Sequence, residues 1–163
     1  MSGARAIFEG LKAGGITFSV YLPDSVLYQT ERLIDADPEI TSIVCSREDE
    51  GVAIAVGASL AGERVAVLME GSGMGLSGLI LARAQSQRTP LLLIFSHVRS
   101  RGDRFDYHLS SRLAGEGTCI GLGIPYETAY SIDDLPDLVH EMIETAIGQR
   151  TIVALAVPGS MES

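Results

Sequence analysis

Short apolar runs alternate along the chain with longer segments in which apolar residues recur every three or four positions. The runs are rich in β-branched residues, have the length of strands, and cover residues 16–21, 41–45, 64–70, 90–97, 126–130 and 151–157. The segments with helical spacing cover residues 2–11, 26–36, 47–60, 76–87, 113–122 and 133–147. This order predicts an α/β fold: a single three-layer domain with a parallel sheet of about six strands and helices on both faces.

The carboxyl ends of the predicted strands are the first place to look for a site, because ligands of open parallel sheets bind there. The loops at that edge cover residues 22–25, 46–50, 70–78 and 97–112. Residues 71–75 are rich in glycine and predict a tight turn. Residues 98–112 predict a long polar loop.

Composition narrows the class of protein. The 163 residues, 46% hydrophobic and 20% charged, are typical of a folded single domain. No apolar run reaches the ~18 residues of a membrane span, and the first residues lack the apolar core of a signal peptide. A net charge of −9 disfavours nucleic acid as a ligand. Cys45 and Cys119 match no redox or zinc spacing, so we expect a cytoplasmic protein. The apolar runs and the net charge together predict that it binds neither membranes nor nucleic acid.

The glycines after the third predicted strand match a dinucleotide fingerprint, Gly73-x-Gly75-x-x-Gly78. Two features weigh against a nicotinamide or flavin site. The motif follows the third strand and not the first, and the next strand ends in Ser96-His97 where that fingerprint expects an acid. A tight turn with close helix packing, or another flat or anionic ligand at the helix start, remains open.

Three acids, Glu48, Asp49 and Glu50, open the helix after the second predicted strand. Acids at a helix start compensate its dipole, which accounts for them without any function. Alternatively, one of them points into a site at the strand ends. The residues alone leave both interpretations open.

The loop after the fourth strand combines His97 with Arg99, Arg101 and Arg104. Mixed charge on a long loop is common on solvated surfaces, but three arginines beside a histidine also suit an anionic substrate. Other chemistry finds little support. Position 70 is Glu where a nucleophile elbow needs Gly, and the histidines show no metal-ligand spacing, so no metal ligand is predicted on this chain.

Residues 46–58, 68–75 and 90–97, together with the turn Leu22-Pro23-Asp24-Ser25, resemble the pyrimidine-binding domain of thiamine-diphosphate-dependent decarboxylases. The resemblance extends over about residues 4–158. The chain is similar in particular to the alpha subunits of sulfopyruvate decarboxylases and the amino-terminal part of phosphonopyruvate decarboxylases. The resemblance implies thiamine diphosphate as cofactor and decarboxylation of 3-sulfopyruvate to sulfoacetaldehyde and CO2, with phosphonopyruvate as the alternative substrate.

The resemblance also implies roles for single residues. Glu48 is the catalytic acid that hydrogen-bonds N1′ of the cofactor's aminopyrimidine. The cofactor-binding turn implied by the family comprises Ser72, Gly73, Met74 and Gly75. Substrate binding is implied for Asp24, Ser25 and His97, and the arginine loop (Arg99, Arg101, Arg104) is expected to recognise the substrate's strong anion.

One family motif is missing from the chain. The family holds diphosphate and Mg2+ with Gly-Asp-Gly followed by a downstream Asn, whereas here Gly102-Asp103 is followed by Arg104 and the sequence contains no Asn. We therefore expect the diphosphate- and Mg2+-binding domain on a separate beta subunit, with the active site between the chains of a hetero-oligomer. A non-catalytic assembly or regulatory subunit of a thiamine enzyme is the second hypothesis.

Overall fold

The computed structural model describes residues 1–99 and 102–162, and within them six strands form one sheet in which all neighbours are parallel. The strands are β1 (Phe18–Tyr21), β2 (Thr41–Val44), β3 (Val65–Glu70), β4 (Leu91–His97), β5 (Tyr126–Thr128) and β6 (Ile152–Pro158). Across the sheet their order is β2-β1-β3-β4-β6-β5. The predicted parallel α/β architecture is confirmed.

Helices cover both faces of the sheet. They are α1 (Gly3–Ala13), α2 (Tyr28–Asp35), α3 (Glu48–Leu60), α4 (Gly71–Leu76), α5 (Gly78–Ser86), α6 (His108–Leu122), α7 (Leu135–Gln149) and α8 (Gly159–Glu162). Buried residues of α1, α2, α7 and α8 form one apolar layer with the sheet, and those of α3 to α6 form the other. Within β3, Leu68 belongs to the first layer and Val67 to the second, which explains why the strand is apolar throughout.

The glycine segment after β3 forms helix α4, and the predicted tight turn is wrong. A Cβ on Gly71 would lie 2.9 Å from the carbonyl oxygen of Ser111 and 3.1 Å from that of Ser96. The lack of side chains therefore lets α4 approach α6 and the end of β4 at backbone distance. This packing outweighs the low helix propensity of glycine.

The polar loop after β4 is shorter than predicted, because α6 begins at His108 and not at residue 113. Glycines at 115, 117 and 121 lower the local helix propensity, so the sequence alone favours a later start. In the structure Gly115 faces the ring of Phe95, where a Cβ would lie 2.9 Å from Cε2. The helix is thus stabilised by its contact with β4.

The parallel register aligns the carboxyl ends of β1 to β4, the strands that precede the predicted site residues. Tyr21 of β1 pairs with Val44 of β2 and Leu68 of β3, and Glu70 pairs with Ser96 of β4. The segments that follow these strands therefore meet at one edge of the sheet. Among the helices of residues 1–99 and 102–162, none is long and apolar enough to span a membrane.

Candidate functional site

A polar cleft of about 740 Å3 opens at the carboxyl edge of the sheet. Its walls come from the turn after β1, the first turn of α3, the end of β3 and the segment between β4 and α6. The lining residues are Leu22, Pro23, Asp24, Ser25, Val26, Glu48, Glu70, Val98, Tyr107 and His108. The cleft thus brings together predicted site residues from two separate segments, namely Asp24 and Ser25 of the turn after β1 and Glu48 of α3.

Of the three acids at the start of α3, only Glu48 lines this cleft. Asp49 accepts hydrogen bonds from the guanidinium of Arg47, with Nε at 3.0 Å. The Glu50 carboxylate turns back and accepts from the backbone N–H of Ser46 at 3.0 Å. The two neighbouring acids therefore compensate the helix start, while Glu48 is left for the cleft.

Gly73 of α4 packs directly on the side chain of Glu48. A Cβ at position 73 would lie 2.4 Å from Glu48 Cγ and 2.8 Å from its Cβ, so an additional methyl group could not be accommodated without displacing the glutamate. The glycine segment and the acidic helix start, which the sequence presents as separate motifs, are one structural unit. The missing Cβ makes space for the Glu48 side chain.

The other predicted cofactor-binding residues lie around this contact. Ser72 is half-buried, and its Oγ donates to Glu70 Oε2 at 3.0 Å. Met74 is fully buried in the core layer of α3 to α6. Gly75 faces α6, where a Cβ would lie 3.0 Å from that of Ala114. Met74 therefore packs in the core and Gly75 against α6, and neither is part of the cleft wall described above.

Asp24 is held by hydrogen bonds on both carboxylate oxygens. Its Oδ1 accepts from the backbone N–H groups of Val26 and Leu27 at 2.8 and 2.9 Å, and its Oδ2 accepts from Ser96 Oγ at 3.1 Å. Burial raises the pKa of Asp24 above its ordinary value, with a smaller rise from the charge of Glu70, although the three hydrogen bonds oppose this. A carboxyl group that gains a proton so readily suits a site of proton transfer.

Glu70, at the end of β3, is a cleft residue that the sequence did not single out for a role. Its Oε1 accepts from Ser111 Oγ at 2.5 Å, and its Oε2 accepts from Ser72 Oγ. The carboxylate thereby ties β3 to α4 and α6. The sequence signal was weak because Glu70 is the polar end of an otherwise apolar strand, and Ser111 lies 41 residues later.

His97, the last residue of β4, borders a second cavity of about 680 Å3 that shares Val26, Val98 and His108 with the cleft. Its Nε2 lies 2.8 Å from Glu116 Oε1 on α6. His97 is therefore next to the cleft and not in the wall shared by Asp24 and Glu48.

The segment between β4 and α6 is organised by Asp103. Its carboxylate accepts from the backbone N–H groups of Phe105 and Arg99 and lies 2.6 Å from Nδ1 of His108. The bonds from Phe105 and His108 lower the pKa of Asp103 to about 2, with a smaller contribution from Arg99. His108 lines both cavities and is a second site residue that the sequence did not assign.

The arginines of this segment are placed differently from one another. Arg99 is exposed and pairs with Asp106 at 3.0 Å, which neutralises part of its charge. Arg104 is also exposed. As far as the described residues form them, the walls of the two cavities include neither arginine. Arg101 lies outside the described residues.

Residues 1–114 match the family model of the thiamine pyrophosphate enzyme, N-terminal TPP binding domain. The chain belongs to this family. The match contains the turn with Asp24, the helix start with Glu48 and the whole glycine segment, and it covers more than half of the chain. The glycine motif that left a dinucleotide site open is therefore part of a thiamine pyrophosphate-binding domain.

Three curated relatives align with this thiamine pyrophosphate-binding domain, two of them over nearly its full length. The chain is 33% identical over 158 residues to sulfopyruvate decarboxylase subunit alpha of Methanothermobacter thermautotrophicus, covering 96% of this chain and 94% of the relative. The protein of the same name from Methanocaldococcus jannaschii is 39% identical over 104 residues, covering 63% of this chain and 60% of that relative. The one from Methanococcus maripaludis is 28% identical over 159 residues, with 95% and 93% covered.

A solved structure with the same fold is the 2-oxoglutarate:ferredoxin oxidoreductase from Magnetococcus marinus with 2-oxoglutarate, coenzyme A and succinyl-CoA bound. The TM-score is 0.78 at 21% sequence identity, and 99% of this chain is aligned. The aligned region is 29% of the oxidoreductase chain, so the thiamine pyrophosphate-binding domain corresponds to one part of that larger protein. This likeness confirms the fold.

Proposed function

We propose that this chain is the alpha subunit of a thiamine-diphosphate-dependent 2-oxoacid decarboxylase that converts 3-sulfopyruvate to sulfoacetaldehyde and CO2. The family, and relatives named sulfopyruvate decarboxylase subunit alpha, support this class of reaction. The observation that carries the proposal is the cleft position of Glu48, whose acidic neighbours Asp49 and Glu50 are engaged elsewhere and whose side chain rests on Gly73.

The residues on this chain fit the aminopyrimidine part of the cofactor. A flat nitrogen heterocycle needs a carboxyl partner for its ring nitrogen and backbone that approaches closely, and Glu48 on Gly73 offers both. When the cofactor is bound, Glu48 would hydrogen-bond N1′ of its aminopyrimidine. Ser72 and Gly73 in the first turn of α4 would lie beside that ring, with Met74 packed in the core behind them and Gly75 against α6.

Thiamine diphosphate, when bound, supplies a ring that takes up the electron pair released from the 2-oxoacid as CO2 leaves. The chain's own residues handle protons around this step. His108 lines the cleft, and the ionised Asp103 occupies its Nδ1, so Nε2 is the ring nitrogen that gives or takes a proton. Burial raises the pKa of Asp24, and this carboxyl group beside Ser96 is the second group proposed for proton transfer in the cleft.

Substrate recognition in the proposal relies on groups that attract an anion. The charged groups in the described cleft wall are the acids Asp24, Glu48 and Glu70, with His108 as a basic partner. Positive charge for a sulfonate or carboxylate therefore comes from His97 in the adjoining cavity, from the arginine loop, and from the partner chain. Ser25 supplies an exposed hydroxyl at the rim.

Diphosphate and Mg2+ are proposed to bind a beta subunit. Groups of three or more His, Cys, Asp or Glu suited to a metal are absent from the part of the chain that the structure describes. The name subunit alpha, carried by the relatives, fits an enzyme made of more than one kind of chain. The active site is completed at the interface, so neither chain alone turns over substrate.

The test is decarboxylation by this chain assembled with a chain of about domain size that carries Gly-Asp-Gly and a downstream Asn. We expect CO2 and sulfoacetaldehyde from 3-sulfopyruvate, and a loss of about 100-fold or more in kcat for Glu48→Gln at unchanged assembly. Glu50→Gln, in the same helix turn but bonded to Ser46, serves as the control and should retain activity.

Three other outcomes are distinct. Turnover of phosphonopyruvate in place of 3-sulfopyruvate replaces the substrate but keeps the reaction. Full activity in Glu48→Gln favours a non-catalytic assembly or regulatory subunit. Failure of the assembled enzyme to consume any 2-oxoacid rejects the proposed function.

A further inference from the structure

The two ring nitrogens of His97 differ in their hydrogen bonding. Nε2 lies 2.8 Å from Glu116 Oε1, whereas Nδ1 is buried and has no hydrogen-bond partner among the described residues. His97 as a whole is 6% exposed. A buried polar atom without a partner costs free energy and is typical of a place where a ligand completes the bonding.

Glu116 is itself held firmly on α6. Arg112, one helical turn earlier, donates Nε to Oε2 at 3.2 Å and Nη2 to Oε1 at 3.1 Å. The third nitrogen of the same guanidinium, Nη1, donates to the carbonyl oxygen of Arg99 at 3.0 Å. One pair of side chains on α6 therefore contacts both His97, the last residue of β4, and Arg99, two residues after the strand, which adopts a left-handed conformation at φ +59°.

The protonation of the pair follows from these contacts. Burial alone raises the pKa of Glu116, but the hydrogen bonds from His97 and Arg112 outweigh it and hold the pKa below its ordinary value. An ionised carboxylate has no proton to give, so Nε2 of His97 must carry the hydrogen of this bond. Nδ1 is then the nitrogen that remains for a ligand.

We propose that Glu116, clamped by Arg112, is a positioning residue that holds His97 by Nε2 and thereby presents Nδ1 to an anionic group of the substrate. This inference rests on the proposed function. A 2-oxoacid with a second anion offers only acceptor oxygens, so the bound state requires Nδ1–H, that is, a doubly protonated His97.

Other charged groups lie around His97 besides Glu116. Arg112 on α6 opposes the charge of Glu116, and Asp103 and His108 border the same cavity from the segment before α6. On the side of β6 the cavity is bordered by Gly159 and Ser160, which carry no charge in their side chains. Glu116 is the carboxylate in direct contact with the ring, so its removal has the largest expected effect.

Histidine 15N NMR on the full chain tests the inference without any activity. The chain contains three histidines, His97, His108 and His140, so the ring signals can be assigned with single substitutions. We expect Nε2 of His97 to be protonated in the wild type and the Nδ1–Nε2 proton distribution to change in Glu116→Ala, with Glu116→Gln in between. Glu9→Ala is the matched control, because Glu9 also pairs with an arginine four residues away, Arg5 on the solvent-facing side of α1.

Kinetics of the assembled enzyme provide the second readout. A positioning role predicts that Glu116→Ala raises KM for the anionic substrate by about tenfold or more with a smaller change in kcat, and that Glu116→Gln partly restores it. Unchanged His97 signals in Glu116→Ala, or an unchanged KM, overturn the inference while leaving the proposed function intact. An assembled wild type without decarboxylase activity rejects the proposed function, and the NMR result then decides the role of Glu116 by itself.

Discussion

Glu48 and Gly73 lie 25 positions apart in the sequence, but in the fold the Glu48 side chain packs where a side chain at position 73 would lie. At this residue scale, the residue pattern alone identifies an acidic helix start and a glycine-rich segment, and only the family resemblance points to Glu48 among the three acids. That choice depends on the contacts of Arg47 with Asp49 and of Ser46 with Glu50, which are made by side-chain rotamers that local sequence patterns do not determine.

The contact predicts a sharp difference between two glycines in helices. Gly73→Ala should destabilise the protein by about 1–3 kcal/mol and reduce activity, because the new Cβ meets Glu48. Gly57→Ala, in α3 with no heavy atom within 4 Å of an added Cβ, should stabilise by about 0.5–1 kcal/mol. Chemical denaturation of both variants measures the difference. Equal effects of the two substitutions would contradict the contact.

The raised pKa of Asp24 predicts a gain in stability when its charge is removed. Burial penalises the ionised form, so above the ordinary pKa of the carboxyl the folded state loses stability relative to the unfolded chain. Asp24→Asn should therefore raise the midpoint of thermal unfolding at neutral pH. The gain should shrink as the pH falls towards the ordinary pKa of an aspartate carboxyl group. Decarboxylase activity should fall in the same variant.

Asp37 provides the opposite sign for comparison. Hydrogen bonds from Lys12 and from the backbone N–H of Glu39 lower the pKa of Asp37, so its ionised form stabilises the folded state. Asp37→Asn should lower the unfolding midpoint at neutral pH, with a difference that disappears in acid. If both asparagine variants moved the midpoint in the same direction, the assigned environment of Asp24 would be wrong.

At the scale of elements, the strands were predictable because each is a short apolar run between turn residues. Helix α4 and the start of α6 were not, since both depend on contacts between glycines and distant backbone. Gly71 approaches the carbonyl of Ser111, and Gly115 approaches Phe95. Such close approaches join segments that lie tens of residues apart, and local helix propensity carries no information about them.

Helix α6 offers a matched pair of substitutions for this packing. Gly115→Ala places a Cβ 2.9 Å from Phe95 Cε2, so we expect a loss of about 1–3 kcal/mol and a displacement of α6. Gly117→Ala, two residues later with open space around it, should stabilise by about 0.5–1 kcal/mol. Because α6 carries Ser111 and Glu116, Gly115→Ala should also alter the histidine 15N signal of His97.

At the scale of the whole molecule, the chain folds as one unit but supplies only one side of the proposed site. The acidic cleft residues offer little attraction to a diphosphate, and the net charge of −9 adds to this. From the absence of Asn, the sequence predicts that a separate chain binds the diphosphate and Mg2+, and this stays a prediction. It could not predict that the arginine loop is partly neutralised by Asp106, because that pairing depends on the conformation of the loop.

Calorimetry with thiamine diphosphate and Mg2+ tests the division between two chains. We expect no Mg2+-dependent binding by this chain alone and tight binding once the partner chain is added. Glu48→Gln should weaken binding in the assembly while Glu50→Gln should not. Mg2+-dependent binding of the diphosphate by the isolated chain would place the metal site here and contradict the proposal.

The contact between positions 48 and 73 also has a consequence for how sequences of this kind can diverge. Neither position can drift independently, because a larger residue at 73 occupies the volume of the glutamate stem and a shorter residue at 48 leaves that volume empty. Substitutions at the two positions should therefore occur together. In a library selected for folding, randomising position 73 alone should strongly enrich glycine, whereas randomising both positions should recover larger residues at 73 paired with shorter residues at 48.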